Sequence, residues 1–459
     1  MLQSSNYNLK DYFSWLLRVD DFRKVMRRGG LDYTNKAKLL ILMSWAIMLF
    51  FFILAIFVAV LFFSLNDVFG LIFSLVLFIL TPVLTSYLIA LPLWIGWILI
   101  QKPRQHNIVS NAKKIINSHP ALKIAIAGSY GKTTAKEIIS TVLGEGKKVA
   151  YTPGNMNTPI GISRFAKKLG ECDVVIFELG EEKVGDVKEL CDLVQPDMGI
   201  ITGINEAHLS SFKTLDNTIS TVFELEDYLG DGPLYKNRES KLVASRIKNK
   251  DKLAFDQKGV NGWHTSDIKI DIHGTSFIAK KDNKKIVAQT GLLGFHNIGV
   301  ILVAIDIADT IGLTAKQIES GILKTTPFEH RMQPRNIHGA WVIDDTYNGN
   351  SDGIRAGLLL LKDLKAKRKI YITPGLVEQG DKTKEVHEKI GQQIADAADV
   401  VVLMNNSVTD YIKNGLKKAN YSGRLIIIDD PLEFYSNLDQ FVAGGDVVLM
   451  QNDWTDNYA

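Results

Sequence analysis

Apolar side chains follow one another almost without interruption over residues 39–101, where Asp67 is the only charged residue. A helix that crosses a bilayer needs about 20 apolar residues. Leu39–Leu65 supplies one such stretch and Phe69–Ile100 a second, and the residues between them leave room only for a tight turn. The pattern predicts a transmembrane hairpin of two helices, and a helix pair buried in a soluble core is the alternative interpretation.

Basic residues flank this apolar block on both sides. They are Arg18, Arg23, Lys24, Arg27, Arg28, Lys36 and Lys38 before it, and Lys102, Arg104, Lys113 and Lys114 after it. Because cytoplasmic flanks carry an excess of Lys and Arg, both ends of the hairpin are expected in the cytoplasm. Residues 1–38 have an amphipathic pattern, and such a segment could lie on the inner leaflet or pack on the soluble part of the chain.

Residues 121–310 alternate short apolar runs with helical patterns, which is typical of a parallel sheet covered by helices on both faces. The predicted strands are Lys123–Ala127, Lys148–Thr152, Val174–Glu178 and Met198–Thr202. Polar and apolar residues alternate over residues 255–290, which predicts a small antiparallel sheet. A helix is expected at Ile298–Ile311, and residues 327–334 have the composition of a linker.

Residues 340–459 start a second alternation of strands and helices. The predicted strands are Trp341–Asp344, Lys369–Thr373, Val400–Met404, Arg424–Ile428 and Asp446–Met450. The expected fold class is α/β, with an N-terminal transmembrane helical hairpin, a parallel-sheet domain and a C-terminal Rossmann-like αβ domain. The expected boundaries are 1–38 for the N-terminal segment, 39–101 for the hairpin, and 102–330 and 331–459 for the two domains.

Charge and cysteine content exclude two classes of function. The chain has 53 Lys and Arg residues against 50 Asp and Glu residues, and this balance predicts no nucleic-acid partner. Two cysteines are too few for a zinc ribbon, and reduced thiols are expected for them.

Residues 125–134, with the sequence AIAGSYGKTT, directly follow a predicted strand and open a predicted helix. Gly128 and Gly131 let backbone N–H groups face an anion. Lys132 can reach terminal phosphates, and the Thr133 hydroxyl, followed by Thr134, can bind Mg²⁺. The loop predicts ATP and Mg²⁺, so the parallel-sheet domain is expected to be of the P-loop type. Two residues separate the glycines, where the usual loop has four, and a Gly-rich turn is the alternative.

Further patches, in this order along the chain, resemble the motifs of the Mur ligases. They are TPGNMNTPIG at 152–161, ELG at 178–180, NEAHL at 205–209, GFHN at 294–297, HRM at 330–332 and DDTYNGN at 344–350. Within that family they are most similar to the members that add D-alanyl-D-alanine to a muramoyl tripeptide. The resemblance runs from about Ile124 to Leu449.

The resemblance implies an ATP-dependent ligase that joins a carboxylate to an amine. Such an enzyme phosphorylates the carboxylate, and the amine then attacks the acyl phosphate and expels phosphate. Two anions must be held together in the first step, which requires cations. Lys132, Glu178 and His208 are therefore the expected catalytic residues. Thr133 would bind one Mg²⁺, and Glu178 with His208 a second. A solvated strand-end carboxylate and an ordinary loop histidine are the alternatives for the last two.

The resemblance also assigns nucleotide and acceptor contacts. Gly128, Gly131, Lys132, Thr133, Thr134, Asn297, Arg331, Asp345, Tyr347 and Asn348 are expected at the nucleotide, and Asn155, Asn157 and Thr158 at the carboxylate substrate. ATP is expected between two domains whose closure excludes water. For Asp344-Asp345 the alternative is a turn with an N-cap.

Three departures from the family pattern limit what the resemblance implies. Val222 stands fourteen residues after His208, where many Mur ligases carry a carbamylated lysine, so that Glu224 or water would have to compensate. Residues 451–454 read QNDW in a tail where the family has Lys, Gly, Ser and Arg facing the amine substrate. The hairpin stands where the family has a domain that grips UDP.

The expected function is therefore peptide-bond formation in peptidoglycan precursor or related cell-wall synthesis, at the inner face of the cell membrane. The acceptor is expected to be a muropeptide carboxylate, UDP-linked or lipid-linked, and the amine an amino acid or a dipeptide. A membrane-anchored polyglutamate-type amide ligase and a non-catalytic ATP-binding membrane scaffold are alternatives. A two-span membrane kinase or polymerisation regulator is a further one, although it would lack the patches at 296–297, 331 and 345–348.

Overall fold

The computed structural model describes residues 7, 9–18, 33–65, 67–154, 156–205, 212, 214–248, 251–347, 349–377 and 379–452. The chain forms two compact units, Met1–Ile108 and Val109–Ala459. The first unit is helical, and the second contains the α/β structure that the sequence predicts.

The N-terminal unit is built from long apolar helices. They are α1 (Leu9–Arg18), α2 (Asn35–Ser64), α3 (Val68–Leu88), α4 (Ala90–Gly96), a π-helical turn (Trp97–Gln101) and α5 (Lys102–Ser118), which continues into the second unit. The run from Val68 to Ser118 and helix α2 are each long and apolar enough to cross a membrane by length and composition. Membrane crossing itself stays a prediction.

Helices α2 and α3 pack against each other as a hairpin. A Cβ atom on Gly70 would lie 2.0 Å from the Phe62 ring, so glycine is required for this close approach. The hydroxyls of Ser74, Thr81 and Thr85 are buried and donate to carbonyl oxygens of their own helix. Polar groups satisfied in this way are compatible with an apolar surrounding.

Helix α1 packs on this hairpin, which is neither of the two places that the sequence left open for the N-terminal segment. Tyr12 and Leu16 are buried with Leu40 and Ile89 in one apolar cluster. The Tyr12 hydroxyl also donates to the Ser86 carbonyl oxygen at 2.8 Å. The apolar face of α1 is therefore covered within its own unit.

The central sheet of the second unit has the order β2-β3-β1-β4-β5-β6, and all its pairs are parallel. Its strands are β1 (Leu122–Ala127), β2 (Val149–Tyr151), β3 (Val174–Glu178), β4 (Met198–Ile201), β5 (Leu234–Asn237) and β6 (Ala254–Phe255). The helices are α6 (Lys132–Leu143), α7 (Pro159–Ala166), α8 (Asp186–Val194), α9 (Leu215–Leu229) and α10 (Lys241–Ala244). Alternate residues of β1 belong to different apolar clusters, one with α6 and one with α7 and α8, because helices cover both faces.

An antiparallel sheet of order β10-β9-β8-β7 follows, as the polar–apolar alternation predicted. Its strands are β7 (Gly259–Val260), β8 (Trp263–Asp271), β9 (Gly274–Lys281) and β10 (Lys284–Thr290). A short 3₁₀ turn (Phe295–Asn297) leads into α11 (Ile298–Thr310), and α12 (Ala315–Leu323) comes next. Helix α11 is buried over almost its whole length, which explains why its sequence is apolar on every face.

The last sheet has the order β11-β12-β16-β13-β14-β15 and is parallel except for β11. Its strands are β11 (Gln333–Ile337), β12 (Ala340–Asp345), β13 (Arg368–Thr373), β14 (Val400–Met404), β15 (Arg424–Ile428) and β16 (Asp446–Gln451). Its helices are α13 (Ser351–Asp363), α14 (Thr383–Ala395), α15 (Thr409–Lys418), α16 (Pro431–Ser436) and α17 (Leu438–Phe441). All five predicted strands are present. Strand β11 is a sixth strand, and the first part of it lies in the segment that was predicted to be a linker.

A single buried carboxylate joins the antiparallel sheet to α11. Asp306 is fully buried and accepts hydrogen bonds from the Tyr235 hydroxyl at 2.8 Å, the Trp263 indole at 3.2 Å and the Lys281 ammonium at 3.1 Å. The Asn261 amide donates to both of its oxygens. Its charge is paired and its lone pairs are occupied, as a buried acid requires.

We expect Asp306→Ala to lower the free energy of unfolding by about 3 kcal/mol, because several buried donors lose their acceptor together. Asp309→Ala on the same helix is the matched control, since its ion pair with Lys284 is largely at the surface. Its effect should stay below about 1 kcal/mol. Thermal and denaturant unfolding of both variants measures the difference, and equal losses would contradict the assignment.

Candidate active site

The loop between β1 and α6 is shaped by two glycines with left-handed backbone. Gly128 has φ +139° and Gly131 has φ +81°. A Cβ atom on Gly128 would lie 2.4 Å from Thr202 Oγ1, so a side chain there would collide with the end of β4. Thr202 Oγ1 donates to the Tyr130 carbonyl oxygen at 2.5 Å, and Ser129 N donates to the Gly203 carbonyl oxygen at 2.7 Å. The neighbouring strand thereby fixes the loop backbone.

The loop also presents donors for an anion. Helix α6 begins at Lys132, so its first backbone N–H groups lie at the loop. Ser129 Oγ is buried and has no hydrogen-bond partner among the described residues. An unpaired hydroxyl at a helix N-terminus fits a phosphate oxygen, and this observation supports the predicted phosphate-binding role of the loop.

Lys132 is paired with a carboxylate that sequence reasoning did not single out. Its ammonium group donates to Glu181 Oε2 at 2.8 Å and to Oε1 at 3.0 Å, and also to the carbonyl oxygen of Gly128. The Glu181 side chain is 3% exposed and that of Lys132 is 12% exposed. Burial raises the pKa of Glu181 to about 7, and the Lys132 ammonium offsets only part of this rise.

Glu178, at the carboxyl end of β3, lies beside the same loop. Its Oε2 accepts hydrogen bonds from Thr133 Oγ1 at 3.1 Å and from Lys136 Nζ at 2.9 Å. The Glu178 and Lys136 side chains are 3% and 0% exposed, so this is a buried ion pair and not the solvated strand-end charge that the alternative interpretation expected. A carboxylate and a hydroxyl side by side offer the oxygen ligands that Mg²⁺ prefers.

The loop after β2 reaches the same carboxylate. Asn157 Nδ2 lies 3.4 Å from Glu178 Oε1, and the Asn157 carbonyl oxygen accepts from Gly180 N at 2.9 Å. Thr158 caps α7 by accepting a hydrogen bond from Gly161 N. Of the three predicted acceptor residues, Asn157 thus lies at the cluster and Thr158 at a helix start, whereas Asn155 lies outside the described residues.

A second group of predicted residues lies where the last sheet begins. The Arg331 guanidinium stands 4.5 Å from the centre of the Tyr347 ring. Asp345 accepts from Met332 N at 3.2 Å and from Gln451 Nε2 at 2.7 Å. Burial of its carboxyl group raises the pKa of Asp345 to about 6. Asn348 lies outside the described residues.

Arg331 is held in a strained segment. The residues on either side of it, His330 and Met332, have positive φ values of 58° and 47°. Non-glycine residues rarely adopt this backbone, and such strain is common at functional sites. His330 Nδ1 lies 2.9 Å from Asp344 Oδ2, so the pair of acids at 344–345 supports this segment and is not merely an N-cap.

Two further residues are Asn297, a predicted nucleotide contact, and Tyr130, which belongs to the phosphate loop. Asn297 is buried directly before α11, where its amide donates to the Leu293 carbonyl oxygen at 2.8 Å. Asp352, in the first turn of α13, lies near enough to the Tyr130 hydroxyl to affect its pKa. Burial and the Asp352 charge raise the pKa of Tyr130. The phosphate loop therefore lies near the part of the chain that carries the second group.

Comparison with known proteins identifies this arrangement. The Mur ligase middle domain matches residues 126–308, and the Mur ligase, glutamate ligase domain matches residues 330–451, together more than half of the chain. The chain belongs to the Mur ligase family. Members of this family are ATP-dependent ligases, and the protein is an enzyme of that kind, forming peptide bonds in peptidoglycan synthesis.

Several similar proteins carry the same name. The UDP-N-acetylmuramoyl-tripeptide–D-alanyl-D-alanine ligase of Buchnera aphidicola is 29% identical over 64% of this chain and 67% of that protein. The Borreliella burgdorferi ligase of the same name is 27% identical over 70% and 68%. The crystal structure of MurF ligase from Thermotoga maritima in complex with ADP has a TM-score of 0.65 at 22% identity, over 76% of this chain and 80% of that one. The chain thus spans about two thirds of the length of these curated relatives.

The position of the carbamylated lysine of other Mur ligases is apolar here. Val222 on α9 is fully buried in the core between the sheet and its helices. Glu224 has other partners: its two oxygens accept from Gly185 N and Lys188 N at 2.8 Å each, at the start of α8. His208 lies outside the described residues, and within the described part no group of three His, Cys, Asp or Glu side chains is arranged for a metal.

The tail of this Mur ligase also differs from the family pattern. Gln451 donates to Asp345 Oδ2 and to the Gly353 carbonyl oxygen, and Asn452 donates to the Gly375 carbonyl oxygen at 2.9 Å. Both side chains are buried. These two residues therefore hold Asp345 and the end of β13 in place, where the sequence suggested residues that face the amine substrate.

Sequence reasoning missed Lys136, Glu181, Tyr130 and Asp352. Glu181 and Lys136 are three and four residues from predicted site residues, on the same strand end and helix, and this spacing is the signal that could have found them. Tyr130 and Asp352 are far apart in sequence, and nothing local indicates that the charge of one affects the other.

We expect Glu181→Gln to tighten ADP binding by about tenfold, because the amide no longer competes with the phosphates for Lys132. The pH dependence has a definite sign. Below about pH 7 Glu181 is protonated and neutral, so the affinity of the wild type for ADP should fall as pH rises through 7. The affinity of the Glu181→Gln variant should show no such fall.

Isothermal calorimetry from pH 6 to pH 8 measures this difference, and the exposed neighbour Glu182 supplies the matched control Glu182→Gln. The nucleotide titrates in the same way in the experiments with all three proteins, so its contribution cancels when their affinities are compared. Equal affinities of wild type and Glu181→Gln at pH 8 would contradict the assignment.

Proposed function

We propose that this Mur ligase joins D-alanyl-D-alanine to the carboxylate of a muramoyl tripeptide at the inner face of the cell membrane. The observation that carries the proposal is the cluster of Lys132, Thr133 and Glu178 beside the phosphate loop. The names of the relatives support the choice of amine and of carboxylate.

The proposed reaction begins with phosphate binding. The loop N–H groups and Lys132 hold the ATP phosphates, and Lys132 exchanges Glu181 for them. Thr133 and Glu178 would hold Mg²⁺, with His208 as the further proposed ligand, and the metal would supply positive charge against the repulsion between the phosphates and the carboxylate. A carboxylate oxygen then attacks the γ-phosphorus and ADP leaves. The amine attacks the acyl carbon, loses a proton and expels phosphate.

The second group of residues is proposed to hold the nucleoside. Asn297 is expected at the adenine, and Arg331 and Tyr347 present a stacked cation and ring to the same ligand. Asp345 and Asn348 complete the set, together with Gly128, Gly131 and Thr134 of the loop. The effect of the Asp352 charge on the pKa of Tyr130 supports a nucleotide site shared by the parallel-sheet domain, proposed as residues 102–330, and the C-terminal domain, proposed as 331–459.

The N-terminal unit is proposed as a membrane anchor, with residues 39–101 in the bilayer. Large apolar side chains of α2 and α3, such as Leu49, Phe57, Phe73 and Ile79, are more than half exposed, and this composition suits lipid. An anchored enzyme meets a lipid-linked muropeptide at a high effective concentration, because both move on one surface. We therefore propose the lipid-linked muropeptide as the preferred acceptor.

Turnover with two acceptors tests this function. The full-length protein, in vesicles with ATP, Mg²⁺ and D-alanyl-D-alanine, should release phosphate and yield a product heavier by the dipeptide. The lipid-linked tripeptide should be used faster than the UDP-linked one. Equal rates with both acceptors would overturn the lipid-linked preference, and a product from glutamate instead would favour the polyglutamate-type ligase.

Lys132→Ala is expected to reduce this turnover by at least about a hundredfold, since it removes the cation that holds the transferred phosphate. Lys168→Ala, at an exposed position after α7, should leave turnover unchanged. Phosphate release measured on both variants makes the comparison. A wild-type protein that binds ATP but forms no product with any acceptor would be the scaffold.

A further inference from the structure

Lys136 is a buried cation with no assigned role. It lies one helical turn after Lys132 on α6, and its side chain is 0% exposed. Its ammonium donates to Glu178 Oε2 at 2.9 Å and to the Gly154 carbonyl oxygen at 2.7 Å. A side chain so enclosed acts through these neighbours and not by touching a ligand.

The two oxygens of Glu178 are unequally occupied. Oε2 accepts from both Lys136 and Thr133, at 2.9 and 3.1 Å. Among the described residues, Oε1 has only the Asn157 amide at 3.4 Å, which is long for a hydrogen bond. Lys136 therefore fixes one oxygen of the carboxylate and leaves the other to accept a cation.

The same ammonium also contacts the loop after β2, whose described residues, 152–154 and 156–158, are here called the acceptor loop. Gly154 accepts from Lys136, and Thr152 Oγ1 accepts from the backbone N–H of Glu178 at 3.0 Å. Thr152 is fully buried, so this end of the loop has little freedom. The Lys136 ammonium thereby joins the acid at the end of β3 to the acceptor-loop backbone at Gly154, in addition to the direct contacts of Thr152 and Asn157 with Glu178.

We propose that Lys136 is a positioning residue that couples metal binding at Glu178 to acceptor binding at the loop. It holds the Glu178 carboxylate with Oε1 toward the metal position, and it sets the acceptor-loop backbone through Gly154. This inference rests on the proposed function, in which Glu178 binds Mg²⁺ and the loop contacts the carboxylate substrate.

The test uses Lys136→Met, which removes the ammonium but keeps an unbranched side chain as far as the ε position. Mn²⁺ binding in the presence of a non-hydrolysable ATP analogue is followed by electron paramagnetic resonance, which needs no turnover. The dissociation constant of Mn²⁺ should rise by about tenfold or more. The KM for the muramoyl tripeptide should rise as well. It is measured with the UDP-linked form, or with the lipid-linked form if only the lipid-linked form is turned over.

Lys236→Met is the matched control. Lys236 is 3% exposed on β5, and its ammonium pairs with Glu226 and Asp251 at 2.7 and 2.9 Å. It should lower the melting temperature without changing either the Mn²⁺ constant or the KM. If Lys136→Met behaves like this control, the role of Lys136 is structural and the proposal is overturned.

Lys136→Arg covers the case in which the Met variant does not fold. It keeps the charge, but its planar fork cannot reproduce the single ammonium contact with both Glu178 and Gly154. We expect weaker Mn²⁺ binding and a higher KM in a folded protein, and wild-type values for both would overturn the proposal. Absence of turnover in the wild type would instead count against the proposed substrates, while the Mn²⁺ measurement still decides the role of Lys136.

Discussion

Two carboxylates are buried beside the phosphate loop, and the need to compensate their charge determines the arrangement of the site. Glu178 is compensated by Lys136 and Glu181 by Lys132, and both lysines come from the first turns of one helix. An ion taken out of water is costly unless it is paired and hydrogen-bonded. The strand end, the helix start and the loop can therefore hardly move independently. Any ligand that takes Lys132 must leave Glu181 with a proton or with another cation.

The parts of the fold that follow from local pattern could be predicted from the sequence. Strand β3 was predicted with its observed bounds, because a fully buried parallel strand is a continuous apolar run. The tight turn between β1 and α6 follows from the glycines of the motif, because Gly128 and Gly131 adopt positive φ values there. Strand β11 was missed because Pro334 indicates a linker, and a proline is tolerated there only since the strand lies at the edge of the sheet.

The side-chain partners could not be predicted in the same way. Glu224 was a candidate for the metal because of its sequence position, but in the fold it caps α8. Gln451 was read as part of a substrate-facing tail, yet it holds Asp345. Both assignments depend on which helix or strand lies opposite, and one sequence carries no signal for that. The place of helix α1 was unpredictable for the same reason, since an amphipathic face shows that something covers it but not what.

Helix α11 connects two features of the molecule that were described separately. It starts directly after Asn297, is buried along its length, and is held by Asp306 at its third turn. A helix enclosed in this way has little conformational freedom left to lose when a ligand binds. A ligand that binds at its first turn meets a surface that is already ordered, so the entropic cost of binding falls on the ligand and on the segment around Arg331.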